Sequence, residues 1–408
     1  MEIRKIKQEE LIMVQQVSSL AFNFTLDIKD PKEHIHKIVH QPEDKWSSCW
    51  KNHWGAFTED GILTSSLSIM DYQVFFDGTV QEMKGIGNVC SYPHYRRQGT
   101  IREIFRSMLS QMYQEKVAFS YLYPFSEEFY SKFGYHRSSP KKKWSFALSK
   151  IPTNSYHGNF SLYQGEDNIS DFKTAYLSYA KNINMMVDRD DFDWDTLKKA
   201  NPFKTNTQAF VYRNEDQVPS GYFIFHKEFC EGSTVFSCNE IAFDGFETLK
   251  AILTFIKTFS SDYHYVEFYT PECYKLDYFC SDYPASNQKS ALSIEPTGMA
   301  RVVNTEQVLL NACYKGDGDL TLALTDDFLP ANSGIYEIKF QNGKAYSVLR
   351  SSGNAADIEM RIQEFSAAIL GNYSVTDFNF MDHIQLNCSP KKADKVFYRK
   401  PNWINNAF

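Results

Sequence analysis

A cluster of cations beside a glycine is the part of the sequence whose residue types could do chemistry. Residues 96–102 read Arg-Arg-Gln-Gly-Thr-Ile-Arg and stand between a strand-like run and a stretch of helical periodicity. The first N–H groups of a helix have no intrahelical partner, and the helix dipole favours an anion there. Gly99 would let the chain approach a phosphate closely, and the arginines would add positive charge. The pattern predicts a diphosphate site, and a basic, solvated helix start is the alternative that the residues leave open.

Strands and helices on both sides would hold this segment in place. Lys84–Cys90 is strand-like, and Ile101–Glu115 carries apolar residues along one helical face. Val117–Tyr123 has the composition of a buried strand, and Glu127–Phe133 that of a short helix ended by Gly134. With the hairpin signal at Asp77-Gly78, the order of elements predicts helices packed on a mixed sheet.

The rest of the chain divides into two more segments. We predict domains at 1–149, 150–296 and 297–408, from punctuation by Pro152 and Gly158 and from a change of pattern near Thr297. The second segment repeats the element order of the first without a visible sequence repeat. The third combines strands with a helix predicted at Ile358–Leu370, and it reads as a small α+β domain. Its last residues, Tyr398–Phe408, are aromatic where free tails are usually polar, so we expect this tail to dock on the protein.

Composition narrows the functional class. The 408 residues suggest ~2.7 domains at ~150 residues each. With 43 Lys plus Arg against 50 Asp plus Glu, the net charge of −7 argues against a nucleic-acid partner, which needs a basic footprint. No apolar run reaches the ~18 residues of a membrane span, and Glu9 and Glu10 interrupt what would be the apolar stretch of a signal peptide. We expect a cytoplasmic protein whose eight scattered cysteines are free thiols rather than disulfides or zinc ligands.

Two motifs resemble a known family. Arg96-Arg97-Gln98-Gly99 is similar to the acetyl-CoA-binding signature of GNAT acetyltransferases, R/Q-x-x-G-x-G/A. Ile101 departs from the final small residue and, with Arg102 next, resembles the Eis (enhanced intracellular survival) branch. The run Phe129–Tyr135 is similar to that branch's F-Y-x-x-F-G-Y, and Phe408 matches its terminal Phe. The resemblance implies two tandem GNAT-like mixed-sheet domains of α/β (α+β) class, followed by a sterol-carrier-protein-like α+β domain.

The resemblance also implies acetyl-CoA as co-substrate and gives roles to individual residues. Tyr130 would protonate the leaving thiolate, and the α-carboxylate of Phe408 would accept the proton of the amine. A terminal carboxylate has a pKa of ~3.5 in water, and desolvation in a pocket would raise it. Backbone N–H groups at the end of a bulged strand would polarise the thioester carbonyl. Direct attack by the amine needs no acyl-enzyme, so the thiol of Cys90 is incidental. The residues implied at the cofactor are Val89, Cys90, Ser91, Arg97, Gln98, Gly99, Thr100, Ile101, Arg102, Phe125 and Ser126.

The expected activity is N-acetylation by direct attack in a ternary complex. The acceptor would be a primary amine of a cationic small molecule or peptide, such as an aminoglycoside-like compound, a polyamine or a lysine side chain. The family assembles as hexamers, so a homo-oligomer is expected, without a nucleic-acid or membrane partner. No metal is predicted, because His34, His36 and His40 do not share a helical face and the acidic run near Asp190 lacks the pattern of a calcium loop. The alternative is a GNAT-fold protein that has lost catalysis and binds CoA or an apolar ligand.

Overall fold

Three mixed β-sheets carry the helices of this protein. The structure is a computed structural model and describes residues 1–230, 232–277, 292–351, 353 and 355–406. The first two sheets have seven strands each and the third has five. Each sheet contains one parallel pair among antiparallel ones, which confirms the predicted α/β class with mixed sheets.

The first part of the chain builds most of the first sheet. Its elements are β1 (Glu2–Lys5), α1 (Leu11–Phe22), α2 (Pro31–His40), α3 (Lys45–Ser48), β2 (Trp54–Phe57), β3 (Leu63–Phe76), β4 (Thr79–Ser91), α4 (Thr100–Gln114), β5 (Phe119–Leu122), α5 (Glu127–Ser131), β6 (His136–Ser138) and β7 (Lys141–Ala147). The β3–β4 hairpin turns at Asp77-Gly78, where both residues have positive φ, as the sequence predicts. Helix α4 buries its apolar stripe on the sheet through Ile104, Phe105 and Met108.

The remaining elements form the second and third sheets. They are β8 (Asn159–Leu162), α6 (Ile169–Ala180), α7 (Asp195–Lys198), β9 (Thr207–Arg213), β10 (Pro219–Cys230), β11 (Ser233–Phe243), α8 (Phe246–Lys257), β12 (Tyr265–Pro271), β13 (Leu292–Glu295), β14 (Gly298–Val302), α9 (Thr305–Asn311), β15 (Gly318–Thr325), β16 (Gly334–Gln341), β17 (Lys344–Ser351), β18 (Ile358–Arg361), α10 (Ile362–Leu370), α11 (Val375–Phe380), β19 (Gln385–Leu386) and α12 (Pro390–Ala393). The strand–helix–strand unit β11–α8–β12 repeats the parallel unit β4–α4–β5 of the first sheet.

Two strands belong to sheets that are built mainly from another segment of the sequence. The first sheet has the order β1-β2-β3-β4-β5-β14-β6, so β14 inserts between two strands that follow each other in sequence. The second sheet has the order β13-β7-β12-β11-β10-β9-β8, so β7 joins the sheet of the following segment. These pairings connect the segments, because each of the first two sheets contains a strand from another segment.

The local prediction at Ile358–Leu370 is wrong for its first four residues. Ile358–Arg361 is strand β18, with alternating burial and a parallel pairing to β15, and the helix begins at Ile362. A run of four residues is too short for its apolar pattern to distinguish a strand from a turn of helix. Pairing with β15 therefore decides that these residues form a strand. Helix α2 was not predicted, although Asp30 caps it and Pro31 occupies its first position, which is a readable start signal.

Two kinds of feature are absent from the described residues. In that part of the chain, no helix has the length and apolar character needed to cross a membrane. No group of three or more His, Cys, Asp or Glu side chains there has a geometry that could hold a metal ion.

Candidate active site

A cleft opens in the first sheet where β4 and β5 separate. The two parallel strands pair only from Met83 to Ile86 on β4, opposite Phe119–Leu122, while β4 continues to Ser91 beside β3 alone. The β3–β4 register shifts between Ser66 and Ser68, which leaves a bulge in β4. Asn88 in this bulge has a φ of 50°, a left-handed conformation that Asn tolerates better than most residues. The backbone of β4 is therefore redirected at the place where it has lost one neighbour.

The basic turn lies directly after this strand. Arg97 has a φ of 63° and Gly99 a φ of 80°, and Gly99 is the N-cap of α4 without any side-chain cap. An ideal Cβ on Gly99 would meet nothing within 4 Å, so the space in front of the helix end is open. Arg96, Arg97 and Arg102 are exposed, and no ion pair is found for them among the described residues. Unpaired guanidinium groups and helix N–H groups thus surround an open space that fits an anion.

Hydroxyl groups anchor the turn to the sheet. The Oγ of Ser65 lies 2.8 Å from that of Ser91 and 2.7 Å from the Oγ1 of Thr100. Thr100 is only 4% exposed, so its side chain is directed into the protein and only its backbone faces the open space. The Gln98 side chain donates to the carbonyl of His94, 3.2 Å away, and Ile101 packs partly buried against the core under α4. The start of α4 is consequently held at a fixed position relative to β4.

The thiol of Cys90 points away from the cleft. Its Sγ lies 3.3 Å from the Oγ of Ser66 and 3.8 Å from that of Ser18, on helix α1. Burial raises the pKa of this thiol, because the charged thiolate would lose its hydration. A buried thiol held in its neutral form is a poor nucleophile. At this position only the backbone is therefore available for hydrogen bonding in the cleft.

Two tyrosines beside the cleft differ in their hydrogen bonding. Tyr135 is fully buried and its hydroxyl lies 2.6 Å from the Oγ of Ser120, which makes it a satisfied core residue. Tyr130 is 2% exposed and packs against Phe105, Phe125 and other rings of its helix. Among the described residues its hydroxyl forms no hydrogen bond, and burial raises its pKa above the usual value of a phenol. Tyr130 therefore carries a protonated phenol that is available to another partner.

In the loop between β5 and α5, one side chain is exposed and another caps the helix. Phe125 is 72% exposed and lies 5.3 Å from the Tyr130 ring, centroid to centroid. Ser126 is the N-cap of α5 and accepts a hydrogen bond of 3.3 Å from the N–H of Phe129. The Ser126 hydroxyl thus fixes the helix that carries Tyr130, while Phe125 lines the opening.

The C-terminal tail docks on the protein, as its composition predicts. Trp403 and Ile404 are 4% and 2% exposed. The tail reaches the end of β5, where the hydroxyl of Tyr123 donates to the carbonyl of Asn406. Phe408 lies outside the described residues, two positions beyond this contact. The sequence did not point to Tyr123 or Asn406, because neither residue type is diagnostic and they stand 283 positions apart.

Acidic residues of the second segment face the docked tail. The Asn406 amide donates to Asp193 at 3.0 Å and accepts from Arg189 at 3.4 Å. Lys45 of α3 lies 3.3 Å from Asp193 and also contacts the half-exposed carboxylate of Asp190. Both carboxylates are thus paired with the Lys45 ammonium, and Asp193 also holds the tail through Asn406.

The equivalent turn of the second sheet has the opposite charge. Helix α8 begins after Gly245, with Asp244 before it and Glu247 in its first turn. Asp244 accepts a hydrogen bond of 2.5 Å from the Thr248 hydroxyl at this helix end. Carboxylates at a helix N-terminus satisfy the dipole and repel a phosphate. Of the two repeated units, only the first is suited to bind a diphosphate.

Three stretches of the chain match known families. Residues 2–138 and 185–302 each match a family described as an acetyltransferase (GNAT) domain, and residues 306–405 match a sterol carrier protein domain. No curated relative matches the sequence.

Solved structures share the whole fold at low identity. A protein of Enterococcus faecalis, described as a probable N-acyltransferase, has a TM-score of 0.81 at 22% identity, with 100% of this chain and 99% of that chain covered. A GCN5-related N-acetyltransferase from Anabaena variabilis gives 0.81 at 19% identity, and Eis1 from Mycobacterium abscessus gives 0.80 at 14%, both with 100% of each chain covered. The chain thus carries two GNAT acetyltransferase domains followed by a sterol carrier protein domain, and it is an acetyl-CoA-dependent acetyltransferase.

Proposed function

We propose that this protein is an N-acetyltransferase of the Eis-like type that acetylates a primary amine of a cationic acceptor in a ternary complex. The observation that carries the proposal is the cleft of the first sheet, where a bulged β4, an uncapped helix end and three exposed arginines meet. The second GNAT domain has acidic residues in the equivalent place, so one cofactor site per chain is proposed. By resemblance to the same type, the active form would be a homo-oligomer, with a hexamer as the expected state.

The residues fit acetyl-CoA, which would supply an activated acetyl group when bound. Arg97, Gly99 and Arg102, with the backbone of residues 98–101, would hold its diphosphate through charge-assisted hydrogen bonds. The backbone of residues 89–91 would donate hydrogen bonds to the thioester carbonyl and stabilise charge that develops on its oxygen. The exposed Phe125 and the backbone at Ser126 would flank the cofactor on the β5 side.

Proton transfers would be divided between Tyr130 and the tail. The protonated phenol of Tyr130, which has no hydrogen-bond partner among the described residues, is suited to give a proton to the leaving sulfur. The α-carboxylate that Phe408 carries in this sequence would accept the proton of the attacking amine. Support for the second role comes from the contact between Asn406 and Tyr123, which brings the tail to the end of β5.

The proposed acceptor class rests on charge. The protein has a net charge of −7. An ammonium-rich acceptor would be attracted to an acidic protein, and the terminal carboxylate of Phe408 would accept a proton from it.

Release of free thiol from acetyl-CoA tests the activity. With a panel of aminoglycosides, polyamines and lysine peptides, we expect turnover for the chain that ends at Phe408 and none after addition of a single glycine beyond it. The extended chain should bind CoA as before in calorimetry, because the diphosphate site lies on another element. Full activity after the extension would show that the carboxylate of Phe408 is not the proton acceptor. Absence of turnover with every amine, despite CoA binding, would favour a binding protein without catalysis.

Substitution of Gly99 by alanine tests the diphosphate site. The new Cβ would enter the open space before α4, and we expect the Kd for CoA to rise about tenfold, or ~1.4 kcal/mol. The backbone strain of an alanine at φ 80° should lower stability by about 1–2 kcal/mol. Gly61→Ala is the matched control, since Gly61 has a φ of 77° and equally open surroundings on a remote turn. Equal CoA affinity of the two variants would exclude the proposed position of the diphosphate.

A further inference from the structure

A buried ion pair joins the docked tail to the hairpin of the first sheet. The Nζ of Lys400 lies 2.6 Å from the Oδ2 of Asp77, and both side chains are 5% exposed. Asp77 stands at the β3–β4 turn, so the tail is attached to the far end of the strand that carries the bulge. The two residues are 323 positions apart.

Asp77 also binds the other two domains. Its Oδ2 accepts a hydrogen bond of 2.6 Å from the N–H of Cys313, in the third domain. Its own N–H donates to the side chain of Asn184, in the second domain, at 2.8 Å. The Lys400 ammonium in turn lies 3.3 Å from the carbonyl of Cys313. Asp77 thus contacts the second domain through its backbone, and the third domain and the tail through its carboxylate.

Backbone hydrogen bonds continue from this point along the tail. The N–H of Asn184 donates to the carbonyl of Pro401, and the N–H of Trp403 donates to the carbonyl of Asn184, both at 2.9 Å. The N–H of Lys400 donates to the carbonyl of Gly371 at 3.1 Å. Gly371 has a φ of 91°, and a Cβ there would lie 2.4 Å from the Cβ of Lys400, so the tail fits only against a glycine. These contacts fix the register of residues 400–403.

We infer that Asp77 and Lys400 form a clamp that positions the catalytic end of the tail. The register set at Lys400 determines where Asn406, two residues before the proposed catalytic carboxylate of Phe408, meets Tyr123. The inference rests on the proposed role of that carboxylate. Neither residue touches the proposed cofactor site, so both are positioning residues. Loss of the clamp should reduce the rate of the proton transfer from the amine while acetyl-CoA still binds.

The test compares Asp77→Asn and Lys400→Met with the wild-type chain. We expect kcat for thiol release to fall 10-fold to 100-fold in either variant, while the KM for acetyl-CoA stays unchanged. Hydrogen exchange of the Trp403 amide should accelerate in both, because its bond to Asn184 depends on the tail's position. Asp195→Asn is the control, since it breaks an exposed Lys–Asp pair of 2.8 Å on α7 and should change neither quantity.

Two combined results would overturn the clamp. Wild-type kcat together with unchanged exchange in both variants would overturn it, and so would equal losses of kcat and of acetyl-CoA affinity, which indicate a general structural defect. If Asp77→Asn does not fold, Lys400→Met decides alone, because Asp77 there keeps its bonds to Cys313 and Asn184. A wild-type chain without turnover would refute the proposed function instead, and the exchange of Trp403 would still show whether the clamp holds the tail.

Discussion

Tyr130→Phe should lower kcat for acetyl transfer about 100-fold or more, because the leaving thiolate loses its proton donor. The substitution removes only the hydroxyl and keeps the ring contacts with Phe105 and Phe125. Since that hydroxyl forms no hydrogen bond within the described part of the chain, stability should not change. CoA affinity measured by calorimetry should also be unchanged, because the diphosphate site lies at α4.

The pH dependence of this effect has a defined sign. An acid is active in its protonated form, and burial raises the pKa of Tyr130 above the usual ~10 of a phenol. The phenol therefore stays protonated throughout the neutral and mildly alkaline range. We expect Tyr130→Phe to lower kcat by the same factor at every pH up to ~10, with no change in the shape of the profile.

Tyr135→Phe is the matched control for this prediction. It removes a hydroxyl that is hydrogen-bonded to Ser120, so it should cost about 1 kcal/mol of stability and leave kcat nearly intact. Full activity of Tyr130→Phe, or an equal loss of activity in the two variants, would contradict a specific role of Tyr130 as the acid.

The sequence was sufficient to predict the elements around the cleft, because their signals are local. Helix α4 shows its apolar face within its own 15 residues, and the hairpin at Asp77 is marked by its turn pair. The basic turn is predictable for the same reason, because its arginines, its glycine and the start of the helix follow one another in the sequence. The mixed-sheet α/β class followed from the order of these elements.

Contacts between distant residues could not be predicted in this way. Nothing in Gly298–Val302 distinguishes a strand of the first sheet from a strand of the third, because its partners β5 and β6 lie more than a hundred residues earlier. The pairing of Asp77 with Lys400 is hidden for the same reason, and an ordinary Lys and Asp on a surface would have the same sequence pattern. The bulge at Asn88 depends on the pairing of β4 with β3, so it too appears only in the folded chain.

Asp326→Asn should destabilise the protein by about 3–5 kcal/mol, because it leaves a fully buried guanidinium without its counter-charge. Arg301 on β14 and Asp326 after β15 are both 0% exposed and form an ion pair. Asn keeps an oxygen for the N–H groups of Phe328 and Leu329, 3.2 and 2.9 Å from the Asp326 Oδ1. Its amide nitrogen would replace the Oδ2 that accepts from Arg301 and Asn332, so the loss combines the missing charge with two lost hydrogen bonds. Denaturant unfolding followed by tryptophan fluorescence would measure it.

A double variant separates the buried charge from other effects of the substitution. Arg301→Met in the Asp326→Asn background removes the unpaired cation and should recover part of the lost stability. Asp394→Asn, which breaks the exposed pair with Lys315 at 2.8 Å, should cost less than ~1 kcal/mol. A loss as small as this control in Asp326→Asn, or no recovery in the double variant, would contradict a stabilising role of the buried pair.

The same ion pair connects the third domain to the helix of Tyr130. A second nitrogen of Arg301 donates to the carbonyl of Phe133, two residues after the end of α5. A Cβ on Gly134 would lie 2.1 Å from that guanidinium. The turn that ends the F-Y-x-x-F-G-Y motif is therefore built around an arginine whose charge is balanced in another domain. We expect stability loss in Asp326→Asn to be accompanied by a lower kcat, because the turn that holds Tyr130 loses its fixed support.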